Sequence, residues 1–169
     1  MEESNRHAFH SVLHTSHDTD GRNGGYGGGE WSWFGPRDWT KEEYGPGGSC
    51  VDTSTPFRVH AAFPQDAKTG ALAYLKTTLS QNGCSLSTRK IGAERGRGGT
   101  ATYDAASLKE LTGALQLGVT PVVSQFSPSS LAWLVGEGKD KAGPCTPGMI
   151  KSATCGDAIF SDFQVHKTP

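Results

Sequence analysis

A glycine-rich segment is the feature that most constrains how this chain can fold. Ten of its 23 glycines lie between residues 18 and 49, and glycine weakens helix and strand interiors because it loses the most conformational freedom on folding. Three tryptophans, Trp31, Trp33 and Trp39, lie in the same segment. Such rings are unusual in a Gly/Ser linker. We therefore expect a long irregular loop region whose aromatic rings pack against structured protein.

The low aliphatic content has two opposed interpretations. Leu, Ile, Val and Phe account for 29 of the 169 residues, which is below the roughly 20% at which disorder becomes a candidate. The formal net charge is only -1, so the chain lacks the self-repulsion of expanded disordered segments. We expect a loop-rich globular domain. Near-neutral charge disfavours nucleic acid as a partner, and no apolar run reaches the roughly 18 residues of a membrane span.

Alternating apolar and polar residues predict strands. One half-buried strand is expected over residues 57–63. A hairpin is expected over residues 73–91, because Asn82-Gly83 suits the positive φ angles of a type I′ turn. Further strands are predicted at residues 121–126, 131–135 and 159–165. The inward face of the first strand is expected to carry Phe57, Val59, Ala61 and Phe63.

One short amphipathic helix is predicted after the hairpin. Ser107 and Glu110 have the spacing of a capping box, and Gly118 can end the helix in the left-handed region. Its apolar face is expected to carry Leu108, Leu111 and Leu115. Several strands, one helix and long glycine-rich connections predict an all-β sandwich with a binding face made of long loops.

Cysteines and histidines leave alternatives open. The four cysteines, Cys50, Cys84, Cys145 and Cys155, are too far apart for a Cys-x-x-Cys site; they permit two disulfides in any of three pairings, or free thiols.

Four histidines follow one another at spacings of three, four and three: His7, His10, His14 and His17. On a helix they would share one face and suit zinc. On a strand they would divide between two faces. A metal-binding protein is therefore an alternative, although we expect no metal site.

Several segments of the chain, taken in order, carry motifs that occur together in one enzyme family. Glu43-Tyr44-Gly45-Pro46-Gly47 and the run from Val51 to Val59 look like the Tyr-Gly-Pro-Gly and Asp-Thr-Ser-Lys-Pro-Phe-Thr-Val sequences of glycoside hydrolase family 7. Trp33 and Arg37 match its Asp-Trp-Asn-Pro-Tyr-Arg segment, residues 131–134 its Met-Leu-Trp-Leu, and residues 160–163 its Phe-Ser-Asn-Ile strand. The likeness corresponds to the second half of the family's domain. It implies a concanavalin A-like β-sandwich (jelly roll), incomplete here, that acts on β-1,4-glucan.

The resemblance also implies catalytic residues. The family's catalytic stretch reads Glu-Met-Asp-Ile-Trp-Glu-Ala-Asn, and Glu3-Ser4-Asn5 aligns with its last three residues. Glu3 is thus expected as the acid/base, with Glu2 as the alternative and His14 as a supporting histidine. Retaining glycosidases use two carboxyls about 5–5.5 Å apart. The family nucleophile would precede Met1, so we expect a fragment without turnover of its own.

The implied sugar contacts are spread along the chain. Trp133 resembles an aromatic platform, Arg37 an arginine that donates to sugar hydroxyls, and Trp33 lies in the same matched segment. Phe126 lies where the family has another Trp, and Ala142 where it has an arginine. Cys50 is a possible disulfide partner of Cys84, whereas Cys145 is a candidate for pairing with the missing half.

The sequence therefore predicts a retaining β-1,4-glucan hydrolase spanning residues 1–169 as one partial domain. A polysaccharide substrate, no cofactor and no membrane or nucleic-acid partner are expected, with a monomer if the domain is complete. The start at Met1 shows no secretory signal, so an extracellular location would require a signal peptide in a longer gene product. A non-catalytic carbohydrate-binding module is the competing interpretation.

Overall fold

The computed structural model describes residues 1–16, 37–92, 105–125 and 159–166, together with Leu134 and Gly143. Within these residues the chain forms short strands and one helix, which is the predicted all-β class. The strands are β1 (Glu2–Ser4), β2 (Phe9–Ser11), β3 (Tyr44–Gly45), β4 (Val51–Asp52), β5 (Arg58–Ala62), β6 (Tyr74–Gln81), β7 (Cys84–Ser87) and β8 (Ile91–Gly92); the helix is α1 (Ala105–Leu117).

The largest sheet is built around β6. Strands β5 and β7 pair antiparallel with it on either side, and β8 pairs with its first two residues. The predicted hairpin is confirmed: Asn82 and Gly83 have φ angles of 49° and 84°, the left-handed values that a type I′ turn requires.

Two sheets meet through side chains. Strands β1 and β2 form a separate antiparallel pair, and Phe9 belongs to one apolar cluster with Leu79. Leu13 and Leu75 belong to a second cluster. Between the clusters the Ser11 and Thr77 hydroxyl oxygens lie 3.1 Å apart. The odd-numbered residues of the β2 segment therefore face those of β6, as in face-to-face sheet packing.

A disulfide joins Cys50, just before β4, to Cys84 at the start of β7. This pairing is among the alternatives that the four cysteines leave open. Closing a loop of this length stabilises a fold by roughly 3–4 kcal/mol in the chain-entropy account. The amide of Gln81 adds a second connection, because it accepts from Asp52 N at 2.8 Å and donates to Asp52 O at 3.0 Å.

The helix has the predicted apolar face but a different beginning. Leu108 is buried with Leu75, and Leu111 and Leu115 pack against the same cluster. Gly118 follows the helix with a φ of 94°. The predicted capping box is wrong, because the helix includes Ala105 and so begins before Ser107. The Glu110 carboxylate instead accepts hydrogen bonds from Ser16 N and Oγ.

Three strand predictions are wrong in whole or in part. Strand β5 forms, but Val59 and Phe63 remain about half exposed because β5 is an edge of the described sheet. Residues 121–125 and 159–165 form no strand. Their large apolar side chains are exposed: Val122, Val123, Ile159, Phe160, Phe163 and Val165. The strand predicted at residues 131–135 lies outside the described residues except for Leu134.

None of the helices among the described residues is long and apolar enough to cross a membrane.

Candidate active site

Glu3, the predicted acid/base, lies opposite a histidine. The register of β1 against β2 pairs Glu3 with His10, and Glu3 Oε2 lies 3.3 Å from His10 Nδ1. Both side chains are largely enclosed, with 16% of Glu3 and 5% of His10 exposed. Successive side chains of a strand point to opposite faces, so this pair lies on the face of β1–β2 turned away from β6.

Glu2 occupies the other face of the same strand. Its Oε1 accepts hydrogen bonds of 2.8 Å from both Ser11 Oγ and Thr77 Oγ1. Glu2 as a whole residue is exposed. Its carboxylate, however, is enclosed by these two buried residues, and this local enclosure determines the shift of its pKa. Burial raises the pKa of Glu2, although the hydrogen bonds from Thr77 and Ser11 act in the opposite direction.

The turn that follows Glu3 is held by residues of the matched segments. Asn5 Oδ1 caps the turn by accepting from His7 N at 2.8 Å and Ala8 N at 2.9 Å. The Tyr44 hydroxyl donates to Asn5 O at 2.8 Å. Burial raises the pKa of Tyr44, so its hydroxyl keeps the proton that it donates. The Thr53 hydroxyl donates to the next carbonyl, that of Arg6, at 2.8 Å.

The Tyr-Gly-Pro-Gly segment forms a tight loop between β3 and β4. Gly47 has a φ of 73°, and a Cβ on Gly48 would approach Val51 O to 2.4 Å, so neither position suits a side chain. Asp52 Oδ1 accepts from Gly47 N and Ser54 N. These backbone hydrogen bonds lower the pKa of Asp52, which stays ionised and fixes the loop.

Arg37, the predicted sugar contact, is half-buried. Next to it, Asp38 forms an ion pair with Arg89. Trp39 is 4% exposed and packs in the aromatic cluster with Phe9 and Tyr44. The predicted packing of a loop-region tryptophan against structured protein is confirmed for Trp39.

The remaining predicted residues are distributed as follows. His14 is half-buried, three residues beyond the end of β2, and the hydrogen-bonding histidine of Glu3 is His10. Trp33, Phe126, Trp133, His17, Cys145 and Cys155 lie outside the described residues. Residues 9–11 are a strand, so the histidines do not share one helical face there. No group of three or more metal-ligating side chains occurs among the described residues.

Sequence reasoning missed the roles of His10 and Tyr44. In the sequence His10 is one member of a histidine series, and its position opposite Glu3 follows only once residues 5–8 form the turn. Asn5 was a signal for that turn, since asparagine side chains cap turns of this kind. Tyr44 lies in the Tyr-Gly-Pro-Gly segment, but nothing local shows that its hydroxyl reaches Asn5.

Comparisons with known proteins find no match: no protein-family model, no curated protein and no solved structure is significantly similar to the chain.

Proposed function

We propose that this chain is part of a β-1,4-glucan hydrolase in which Glu3 is the general acid/base. The observation that carries the proposal is the enclosed Glu3–His10 pair, at 3.3 Å, on a hairpin held by Tyr44 and Thr53. Three segments that resemble family 7 thereby contact one another: the one containing Glu3, the Tyr-Gly-Pro-Gly loop and the Asp-Thr-Ser run. Their proximity supports the resemblance.

The Glu3–His10 pair suits a residue that both gives and takes a proton. His10 Nδ1 can donate to an ionised Glu3 or accept from a protonated Glu3, depending on its tautomer. The same contact therefore orients the carboxyl in both states that an acid/base passes through. Protonated Glu3 would deliver its proton to the glycosidic oxygen as the bond to the anomeric carbon breaks.

Glu2 is not proposed as the nucleophile. A retaining mechanism needs the second carboxylate on the same side of the strand as the acid/base, about 5–5.5 Å away. Glu2 points to the opposite face, where Ser11 and Thr77 hold its Oε1. The proposal therefore assigns the acid/base and leaves the attacking carboxylate to another part of the protein.

The proposed fold is the concanavalin A-like sandwich. Its support is the packing of the β1–β2 pair on the β6 sheet, with Phe9 and Leu79 in one cluster and Leu13 and Leu75 in the other. In this arrangement Glu2 lies between the sheets and Glu3 on the opposite face of β1. Arg37 is proposed as a sugar contact, with Trp33, Phe126 and Trp133 as aromatic platforms.

Azide tests the assignment because it can replace an absent nucleophile. It attacks the anomeric carbon of an aryl β-cellobioside, the bond to the aryl oxygen breaks, and the acid protonates that oxygen. A phenyl leaving group needs this proton, whereas dinitrophenolate leaves without it. With azide we expect Glu3→Gln to lower the rate on phenyl cellobioside by about 100- to 10,000-fold and to leave the dinitrophenyl substrate nearly unaffected.

Two variants serve as controls. Glu42→Gln removes an exposed carboxylate and Glu2→Gln the inward one; both should keep the wild-type rate ratio between the two substrates. An unchanged phenyl cellobioside rate in Glu3→Gln would refute Glu3 as the acid. If cello-oligosaccharides bind but no azide product forms from either substrate, the chain is instead a carbohydrate-binding module.

A further inference from the structure

The Asp38–Arg89 ion pair lies immediately beside Arg37. Asp38 Oδ2 accepts from the Arg89 backbone N at 3.0 Å, and Oδ1 accepts from the guanidinium Nη2. Only 10% of the Asp38 side chain and 29% of the Arg89 side chain are exposed. One residue thus engages both oxygens of the Asp38 carboxylate, which gives the contact a defined direction.

Both partners are attached to rigid parts of the fold. Arg89 follows Thr88, whose N donates to Thr77 O at 2.9 Å and whose hydroxyl accepts from Thr77 N at 3.0 Å. Asp38 precedes Trp39, which is buried in the aromatic cluster. The backbone directly after Arg37 is therefore fixed at two successive residues.

We infer that Asp38 and Arg89 are positioning residues for Arg37 in the binding of β-1,4-glucan. The inference rests on the proposed function, because it takes Arg37 as a sugar contact. A guanidinium donates to two sugar oxygens only from a suitable place and angle. Fixing its backbone in advance lowers the entropy lost on binding. Neither Asp38 nor Arg89 needs to touch the sugar for this effect.

A double-mutant cycle on cellohexaose affinity separates positioning from general destabilisation. Isothermal titration should show about ten-fold weaker binding for Arg37→Ala. Asp38→Asn should weaken binding by roughly three- to five-fold when Arg37 is present and by less than about two-fold when Arg37 has been replaced by alanine. Arg89→Ala, which keeps the backbone donor to Oδ2 but removes the guanidinium donor to Oδ1, should behave in the same way.

Asp66→Asn is the matched control, because Asp66 is an exposed aspartate that accepts hydrogen bonds within its own turn; it should leave affinity unchanged. Equal weakening by Asp38→Asn in the wild-type and Arg37→Ala backgrounds, or no weakening in the wild-type background, would overturn the inference while the proposed function stands. Absence of cellohexaose binding, or unchanged affinity in Arg37→Ala, would remove the sugar contact and the inference together.

Discussion

The two faces of β1 carry the same side chain in different surroundings. Glu2 points between the sheets and accepts hydrogen bonds from Ser11 and Thr77, whereas Glu3 lies on the opposite face of β1 and contacts His10. Adjacent residues of one type thus differ by the alternation of a strand. The inner carboxylate connects two layers, and the outer one contacts His10, the pair on which the proposed acid/base role rests. Strand parity separates two glutamates that motif alignment could not.

The largest expected effect comes from comparing substitutions of two neighbouring threonines of β6: Thr77, which contacts Glu2, and Thr78, on the opposite face of β6. Thr77→Val removes one of the two hydroxyl donors to Glu2 while keeping the shape of the side chain. We expect a loss of about 1–3 kcal/mol in the free energy of unfolding, because an enclosed carboxylate loses a hydrogen bond. Urea denaturation measures this value.

The matched control is the next residue. Thr78 is half-buried and its hydroxyl lies 2.9 Å from Ser87 Oγ, on the opposite face of β6. Thr78→Val should cost less than about 1 kcal/mol, because both hydroxyls are closer to solvent. Equal losses of unfolding free energy in Thr77→Val and Thr78→Val would show that the Thr77 contact between the sheets stabilises the fold no more than the Thr78 contact does.

A smaller effect is expected at the turn that joins β1 to β2. Tyr44→Phe keeps the ring in the aromatic cluster and removes only the donor to Asn5 O. We expect a loss of about 0.5–1.5 kcal/mol in unfolding free energy, the ordinary net value of a hydrogen bond. Hydrogen exchange should show faster exchange at His7 and Ala8, whose amides bond to Asn5 Oδ1. Unchanged exchange there would mean that Tyr44 does not hold the turn.

Local signals predicted the parts of the fold that depend on local chemistry. Asn82-Gly83 determines its own turn, so the β6–β7 hairpin follows from sequence. Val122 and Val123 show the limit, because an apolar run does not reveal whether another element covers it; both are exposed. The Glu3–His10 pair depends on the register of a hairpin, and the Tyr44–Asn5 contact joins residues 39 positions apart. Neither kind of contact can be read from spacing alone.

The smallest expected effect is the pH dependence contributed by Glu2. Its pKa is raised in the folded protein above the ordinary value of 4.5, so the folded state holds the proton more tightly than the unfolded state. Stability must therefore fall as the pH rises from about 4.5 through the raised folded pKa, and then level off. Glu2→Gln has no titrating group at this position and should lack this part of the decline.

Urea denaturation of wild type and Glu2→Gln across that pH range, with Glu42→Gln as the control, measures the difference in the free energy of unfolding. The Met1 ammonium and Glu3 also influence the pKa of Glu2. Asp52 and Asp66 titrate in the same way in both proteins, so their contributions to the pH dependence cancel in the comparison. Identical pH profiles for wild type and Glu2→Gln would mean that the carboxylate between the sheets is as well solvated as an outer one, and the contrast between the two faces of β1 would lose its electrostatic basis.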